Sequence, residues 1–243
     1  MLAGLYSAAT GMNAAAKNHE VIARNLAHSS VPGFRRQMLV SETFESALEN
    51  ATLPSGHEAW GVSPLEVVTD FGQGILQRTE QPLDVAIDGK GFFTVEGPEG
   101  VTLYTRNGAF NRNETGQLVT PEGYLVQGEG GPITIPPEVP LNQVVIGTDG
   151  GVRSKTSTYG KLQITDFVEP QELQPVGATM YFADNLESST GTGRVIQGSR
   201  ELANVSAVEE MVAMLVGMRH YEASQRALRS IAETVGQNTN PQS

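Results

Sequence analysis

Cysteine is absent from this chain of 243 residues, and tryptophan occurs once. A chain without cysteine cannot form a disulfide framework, a thiolate nucleophile or a cysteine-ligated zinc or iron–sulfur site. Long hydrophobic runs are also missing, because no apolar stretch approaches the roughly 18 to 20 residues that span a bilayer. The N-terminal segment lacks the basic stretch and continuous apolar run of a cleaved secretory signal. We therefore expect no disulfide, no membrane-spanning helix and no cleaved signal peptide.

Positive charge is also scarce. The chain has 16 Lys and Arg against 27 Asp and Glu, which gives a net charge of −11. Residues 1–40 carry a net +3 and residues 201–243 a net −2, so the residues between them carry −12. Because such an acidic body repels nucleic acid, we expect no nucleic-acid partner.

Glycine and proline are abundant, with 27 and 13 residues, which favours turns between short strands. From Leu83 to about Asp184, short runs with strand periodicity alternate with turn sequences at regular spacing. Asp88-Gly89 and Asn107-Gly108 are strong hairpin signals. The pattern predicts a central antiparallel β domain, either a barrel or a sandwich.

The two ends of the chain have a period of seven. Near the N-terminus the repeat runs through Leu5, Met12, His19 and Leu26 and, three residues later, through Ala8, Ala15 and Ile22. Near the C-terminus it runs through Met211, Met218, Gln225 and Ala232 and through Ala207, Met214, Tyr221, Leu228 and Val235. A capping box from Ser206 to Glu209 predicts that the second helix begins near Ala207. We therefore predict an α+β fold in which long N- and C-terminal helices pair as a coiled coil, the alternative being ordinary amphipathic helices packed on their own domain.

The first helix is predicted to stop after Ala27. Pro32 disfavours helical geometry before it, and Gly33 permits a turn. Phe34 would then anchor the exit in apolar surface, while the two arginines that follow it, Arg35 and Arg36, would face solvent or an acidic surface of a neighbouring copy. We assign residues 1–36 and 204–243 to a terminal helical domain, 37–75 and 185–203 to extended linkers or hairpins, and 76–184 to the β domain.

The sequence offers no convincing catalytic or metal-binding pattern. The histidines are scattered, at His19, His28, His57 and His220. Asn111 to Glu122 matches some positions of a calcium loop but lacks carboxylates at its first, third and fifth positions, which favours a hairpin turn with Gly116 at positive φ. We predict no enzyme activity, no cofactor, no metal and no small-molecule substrate.

Three segments resemble one known family. "SAATGMNAAAKNHEVIARNLAHSSVPGFRRQ", "PLDVAIDGKGFFTVEGPEGVTLYTRNGAFNRNETGQLVTPEGYLVQG" and "ELANVSAVEEMVAMLVGMRHYEASQRALRSI" are similar, in that order, to the motifs of bacterial flagellar basal-body rod proteins. Arg24, His28 and Ser224 depart from the family pattern at positions where asparagine is usual. Within the family, "VQGEGGPITIPP" resembles the proximal-rod type (FlgF), while "GFRRQ" and "DVAIDGKGFF" resemble the distal-rod type (FlgG) about as well. We favour the proximal-rod type.

The resemblance implies a structural subunit that self-assembles through its terminal helices into the helical shaft that transmits torque for motility. It implies contacts with copies of itself and with other rod and hook axial proteins, and export by the flagellar type III apparatus without signal cleavage to a rod in the periplasmic space. The residues expected at the assembly interface are Leu5, Met12, Ile22, Asn25, Leu26, Gly33, Phe34, Met211, Met214, Met218, Tyr221 and Leu228. The alternative is a secreted oligomeric binding or adhesion module with a β-rich recognition domain.

Overall fold

The computed structural model describes residues 2–41, 65–155 and 157–239. Helix α1 spans Leu2–His28 and helix α2 spans Ala207–Thr239, so α2 begins where its capping residues predict and continues past Gly236. The strands between them are β1 (Gln37–Ser41), β2 (Leu65–Thr69), β3 (Leu76–Arg78), β4 (Val85–Asp88), β5 (Phe92–Glu96), β6 (Thr102–Thr105), β7 (Asn111–Arg112), β8 (Leu118–Val119), β9 (Leu125–Gly128), β10 (Gly131–Pro132), β11 (Val145–Ile146), β12 (Gly151–Arg153), β13 (Thr158–Lys161), β14 (Ile164–Phe167), β15 (Gln174–Val176), β16 (Met180–Phe182), β17 (Ser188–Thr190), β18 (Arg194–Gln197) and β19 (Ser199–Glu201). Three short 3₁₀ helices lie at Pro98–Gly100, Leu141–Gln143 and Pro170–Glu172.

The chain divides into two compact units. The helical unit comprises Met1–Ala27, Gln37–Asp70 and Ser206–Ser243, and the β unit comprises His28–Arg36 and Phe71–Val205. The chain therefore crosses between the units four times, at 27/28, 36/37, 70/71 and 205/206. In the helical unit, β1 and β2 pair antiparallel from Gln37↔Thr69 to Ser41↔Leu65. Within the predicted linker 37–75, residues 42–64 lie outside the described part of the chain.

The prediction of paired terminal helices forming a coiled coil is wrong, and with it the predicted fold class. The described residues form many short strands and two helices, one near each terminus of the sequence. The heptad positions Met211, Met218 and Tyr221 stay 50%, 47% and 37% exposed instead of inserting as knobs into a partner helix. An open groove of about 900 Å³ lies between the helices. The physical reason is that α2 also carries apolar residues outside the heptad positions, so no single narrow seam could bury them all. These additional exposed residues are Val208, Val212, Leu215 and Val216.

The β unit is built from antiparallel strands around β5. The largest sheet runs in the order β15-β16-β6-β5-β9-β8-β7, with β10 added to β9 and β17 joined through β14 to β5. Smaller sheets are β11-β12-β13, β18-β4 and β19-β3. Side chains alternate across β5, so that Phe93 and Val95 enter the main apolar core while Phe92 packs in a second cluster with Phe167 and Tyr181.

Two predicted hairpins are absent, because tertiary pairing overrides the local turn signal. Strand β4, which ends at the Asp88-Gly89 turn, pairs with β18 and not with β5. At Asn107-Gly108 the Asn107 side chain accepts a hydrogen bond from Ala109 N, and the segment runs against β4. A Cβ at Gly108 would lie 1.7 Å from Val85 O, so this glycine allows two backbones to approach closely.

Candidate functional site

The chain that follows α1 turns sharply at Gly33. Gly33 has φ +73°, and its N–H donates to Glu201 O at 2.8 Å. A Cβ at this position would lie 2.4 Å from Asn107 N, so both the backbone angle and the available space require glycine. Phe34 is 1% exposed, and its ring centroid lies 5.1 Å from that of His28. The turn is therefore fixed by contacts inside the β unit.

A buried ionic cluster closes around the carboxylate of Glu201, at the end of β19. Arg35 Nη2 donates to Glu201 Oε1 at 2.6 Å, and both side chains are fully buried. Gly74 N donates to the same oxygen at 2.8 Å, and Arg106 Nη1 reaches Oε2 at 3.4 Å. We call Gly33, Arg35, Gly74, Arg106 and Glu201 the Glu201 cluster. It joins four segments that are distant in sequence.

The electrostatics of the cluster are those of two cations sharing one carboxylate. Burial, and then the nearby Arg35 guanidinium, lower the pKa of Arg106 to about 10, although the Glu201 carboxylate raises this pKa. The Arg106 guanidinium also lies over the Phe92 ring, 5.1 Å from its centroid. Burial raises the pKa of Tyr181 far above its usual range. Arg106 therefore stays charged at neutral pH.

Asn204 adds neutral hydrogen bonds beside the Glu201 cluster. Its Oδ1 accepts from Arg36 N at 2.6 Å, and its Nδ2 donates to Gly72 O at 3.0 Å. Gly72 O also accepts from Arg35 Nη1 at 2.9 Å. The segment before α2 is thereby hydrogen-bonded to the segment that precedes β1 and to the segment that follows β2.

In the helical unit, Asn25 plays a comparable role. Its Oδ1 accepts from Gln37 N at 2.9 Å, its Nδ2 donates to Gln37 O at 2.8 Å, and the residue is 1% exposed. Nδ2 also lies 3.4 Å from Glu210 Oε2, on the first turn of α2. One asparagine therefore connects α1, β1 and α2.

The surface of α2 carries large apolar side chains in contact with solvent. We call these the exposed α2 surface: Val208, Met211, Val212, Leu215, Val216, Met218 and Tyr221, which are between 37% and 70% exposed. The groove of about 900 Å³ adjoins this surface and is lined by Ala14 and Ile22 of α1, Leu39 of β1, and Val212 and Val216 of α2. Contiguous exposed apolar surface of this kind marks an interaction site more often than a solvated one.

The twelve residues predicted for the assembly interface differ in how far the structure buries them. Ile22, Asn25, Gly33 and Phe34 are buried within the chain, while Met211, Met218 and Tyr221 belong to the exposed α2 surface. Partly buried positions are Met12, Leu26, Met214 and Leu228. Leu5 lies on α1, but its side chain is outside the described part.

Sequence reasoning missed the Glu201 cluster. It placed Arg35 against solvent or a neighbouring copy, whereas Arg35 is 1% exposed and pairs internally. The missed partners are Gly74, Arg106 and Glu201, which lie between 32 and 166 positions from one another or from Arg35. The only local signal for the burial of Arg35 was the Pro32-Gly33 turn, which changes the direction of the chain just before it.

Comparison with known proteins identifies the family. Residues 86–154 match the family model for the flagellar hook protein FlgE/F/G D1 domain, and residues 196–239 match the model for the flagellar basal body rod FlgEFG protein C-terminal region. The flagellar basal-body rod protein FlgG of Buchnera aphidicola (subspecies Schizaphis graminum) is 35% identical, over 95% of this chain and 96% of its own length. The chain belongs to the flagellar basal-body rod protein family. It is also similar to FlgG of Borreliella burgdorferi, at 32% identity over 97% of each chain, and to FlgF of Salmonella typhimurium, at 29% identity over 96% of this chain and 95% of its own.

Membership in the rod family makes the chain a structural subunit of the bacterial flagellar basal body, which serves motility. The preference for the proximal-rod type is not supported, because relatives named FlgG reach 35% identity and the FlgF relative 29%. In this rod subunit, the Glu201 cluster joins the two regions that the family models cover: Arg106 lies in the first and Glu201 in the second.

Within residues 2–41, 65–155 and 157–239, no helix of the rod subunit is long and apolar enough to cross a membrane. In the same residues, no three His, Asp or Glu side chains converge as a metal site would require. His57, one of the four histidines considered as ligands, lies outside the described part. The segment that resembled a calcium loop is the β7–β8 hairpin turn, in which Asn113 Oδ1 accepts from Thr115 N and Gln117 N and Gly116 has φ +87°.

Proposed function

We propose that this rod subunit assembles with copies of itself and with other axial flagellar proteins through the exposed α2 surface and the adjoining groove. The observation that carries the proposal is the run of large apolar side chains left in water on α2, in a chain whose net charge is −11. Burying a Val, Leu or Met side chain gains about 1.5–3 kcal/mol, so several such residues supply a substantial driving force for association. Met211 and Met218 are flexible and polarisable, which suits contacts with neighbours that differ in sequence.

We expect neighbouring copies to meet through two different surfaces, because a shaft is an open assembly. A contact between the exposed α2 surface of one copy and another surface of the next is heterologous, and a heterologous contact whose rotation does not close produces an open helical filament. Such a filament is the form a shaft needs. The other predicted interface residues that are partly exposed, among them Met12 and Leu26 on α1, would contribute to the same contacts.

We further propose that the subunit acts without catalytic activity, that it resides in the periplasmic part of the rod, and that the flagellar type III export apparatus delivers it without signal cleavage. The basal-body rod names of its relatives support the location. The acidic, cysteine-free composition is compatible with passage of an unfolded chain and with either redox environment.

The test is complementation of a strain that lacks only this gene. The double variant Met211→Ser, Met218→Ser makes the exposed α2 surface polar, and Val168→Ser, at a residue of the β unit that is 69% exposed, is the matched control. We expect the control to restore rods and swimming, and the double variant to leave basal bodies without complete rods. Electron microscopy of extracted basal bodies gives the result. Complete rods and full motility with the double variant, at equal expression and helicity, would refute the proposed interface.

A further inference from the structure

We infer that a cleft in the β unit, at the buried carboxylate of Asp84, binds a primary carboxamide, the side-chain group of an asparagine or glutamine of a neighbouring axial subunit. We call it the Asp84 cleft. It has a volume of about 420 Å³, and its lining includes Thr79, Leu83, Asp84, Phe110, Leu141 and Arg200, all within the β unit. That the carboxamide belongs to an axial subunit rests on the proposed function, whereas the chemistry of the cleft does not.

One wall of the Asp84 cleft is the segment between β3 and β4, which is held against the turn between β18 and β19. Thr79 N and Glu80 N donate to Gly198 O at 2.8 and 3.1 Å, and Gly198 N donates to Asp84 O at 2.7 Å. Glu80 has φ +61°, which is uncommon for a residue other than glycine. Because hydrogen bonds fix this segment at both ends, the wall is formed before a ligand arrives, and such preorganisation lowers the cost of binding.

The Asp84 cleft contains an ion pair with unused hydrogen-bonding groups. Asp84 is 2% exposed, and its Oδ2 accepts from Thr79 Oγ1 at 2.5 Å. Arg200 Nε lies 2.7 Å from the same oxygen, an ionic contact without the alignment of a hydrogen bond. Among the residues that the structure describes, none donates to Asp84 Oδ1 and none accepts from either Nη group of Arg200. These three groups are also open to solvent, so an acceptor and several donors are available in two residues that touch.

Charge decides which ligand group fits. Of the described residues that line the Asp84 cleft, only Asp84 and Arg200 are ionisable, so their charges cancel. A carboxylate ligand could accept from Arg200 but would add a second negative charge beside Asp84, and an ammonium ligand would add a second positive charge beside Arg200. An uncompensated charge in a partly buried site is unfavourable. A primary carboxamide is neutral, and it can accept from Arg200 Nη with its oxygen while its NH₂ group donates to Asp84 Oδ1.

The other lining residues suit the apolar part of such a side chain. Leu83 and Phe110 are buried residues of the main core that also line the Asp84 cleft, and Leu141 is partly buried. Methylene groups that leave water for contact with these side chains favour binding. The Asp84 cleft therefore provides apolar contact for the stem of an asparagine or glutamine and paired hydrogen bonds for its amide.

The first test uses the complete subunit and small probes that share a propyl chain: butyramide, butyrate, butylammonium and N,N-dimethylbutyramide. Amide NMR spectra of the ¹⁵N-labelled chain follow the backbone signals of Thr79, Asp84 and Gly198. We expect butyramide to shift these signals with a dissociation constant on the order of 10 mM, as suits so small a ligand. The other probes lack either the N–H donors or the acceptor oxygen, or they add a charge, so they should bind roughly fivefold more weakly or less.

A matched pair of variants tests the guanidinium. Arg200→Lys keeps a positive charge beside Asp84 but removes the planar fork of donors, so the affinity for butyramide should fall by about fivefold or more. The control is Arg153→Lys, at an arginine of the β unit that does not line the Asp84 cleft and whose side chain is 54% exposed. This control should leave the affinity unchanged. The probe series itself uses the unchanged chain, so it does not depend on the folding of a variant.

A second test identifies the source of the carboxamide. A photo-crosslinking residue, p-benzoylphenylalanine, replaces Gln81, which is exposed and lines the Asp84 cleft, and in a control strain it replaces Val168, which is 69% exposed. After irradiation of cells and extraction of basal bodies, mass spectrometry reads the crosslinked peptides. We expect position 81, but not position 168, to capture a peptide of an axial subunit that contains asparagine or glutamine next to the crosslink.

Binding of butyrate, butylammonium or N,N-dimethylbutyramide as strong as that of butyramide would overturn the inference, as would no binding by any probe. Equal losses of affinity in Arg200→Lys and Arg153→Lys would do the same. Crosslinks from position 81 only to proteins outside the axial family would refute the assigned partner. The probe measurements need neither an assembled rod nor the exposed α2 surface, so their failure is distinguishable from failure of the proposed function.

Discussion

Replacing Asn25 with alanine tests how the helical unit is held together. Asn25 donates to and accepts from the backbone of Gln37, and the two residues are 1% and 7% exposed. The truncation therefore leaves one buried N–H and one buried C=O of β1 without their partners. The Asn25 amide also loses its contact with Glu210, 3.4 Å away on α2.

The magnitude follows from these groups. Each buried polar group left unpaired costs about 1–3 kcal/mol, and alanine returns about 0.7 kcal/mol through its higher helix propensity. The variant Asn25→Ala should therefore lower the free energy of unfolding of the helical unit by about 1–5 kcal/mol. Asn13, on the same helix and exposed, provides the matched control, and Asn13→Ala should raise the stability by about 0.5 kcal/mol.

Urea denaturation followed by circular dichroism at a helix-sensitive wavelength gives the free energies, and amide exchange at Gln37 gives the local effect. In Asn25→Ala the Gln37 amide should lose protection before the amides of the β unit do. If Asn25→Ala stays within about 0.5 kcal/mol of the unchanged chain, or if Asn13→Ala costs as much, the assigned role of Asn25 is refuted.

Three further outcomes are expected. Gly33→Ala should cost about 2–4 kcal/mol in thermal or urea unfolding, because φ is +73° and a Cβ would meet Asn107 N at 2.4 Å; a cost under about 1 kcal/mol would contradict the geometry. Burial raises the pKa of the Tyr181 phenol, so the folded chain keeps this proton above pH 10, where the unfolded chain releases it. The free energy of unfolding should therefore fall as the pH rises beyond 10. An absorbance titration of Tyr181→Phe should lack the phenol that ionises last in the unchanged chain. Peroxide should convert Met211 and Met218, which are 50% and 47% exposed, to sulfoxides in the isolated subunit and so reduce its self-association. The variant Met211→Leu, Met218→Leu should associate equally before and after the treatment. Mass spectrometry measures the oxidation, and sedimentation measures the association.

The start of α2 and several turns were predictable because the chemistry that determines them is local. Ser206 and Glu209 predicted a helix from near Ala207, and α2 begins at that residue. Gly116 was expected at positive φ in a hairpin turn, and its φ is +87°. In both cases the residues that fix the backbone lie within four positions of the feature.

The pairing of the helices and the Asn107-Gly108 turn were not predictable in the same way. The heptad positions of α2 could be read from the sequence. Whether the helix buries only those positions also depends on the apolar residues outside them, such as Val208 and Leu215, and therefore on the whole helix surface. Gly108 looked like a turn glycine, yet its role is set by the close approach of Val85, more than twenty positions away. A dipeptide signal cannot distinguish a turn from a close backbone crossing.

The Glu201 cluster was beyond reach for a different reason. Arg35, Arg106 and Glu201 are each ordinary charged residues in their local sequence, and nothing within several positions of any of them requires burial. Only the folded topology brings them to one point. Charge pairing at long range is selected by the complete fold, so one sequence alone cannot supply it.

The place of Glu201 along the chain has a consequence for biosynthesis. A ribosome releases Gly33, Arg35 and Gly74 long before residue 201, and the acceptor for all three is missing during that interval. Contacts at such sequence separation also form slowly, because a long loop must close before they are made. In a chain whose translation stops before β19, the turn at Gly33 therefore lacks its hydrogen bonds to Glu201. A protease that cleaves near Gly33 would remove such incomplete chains and spare complete ones.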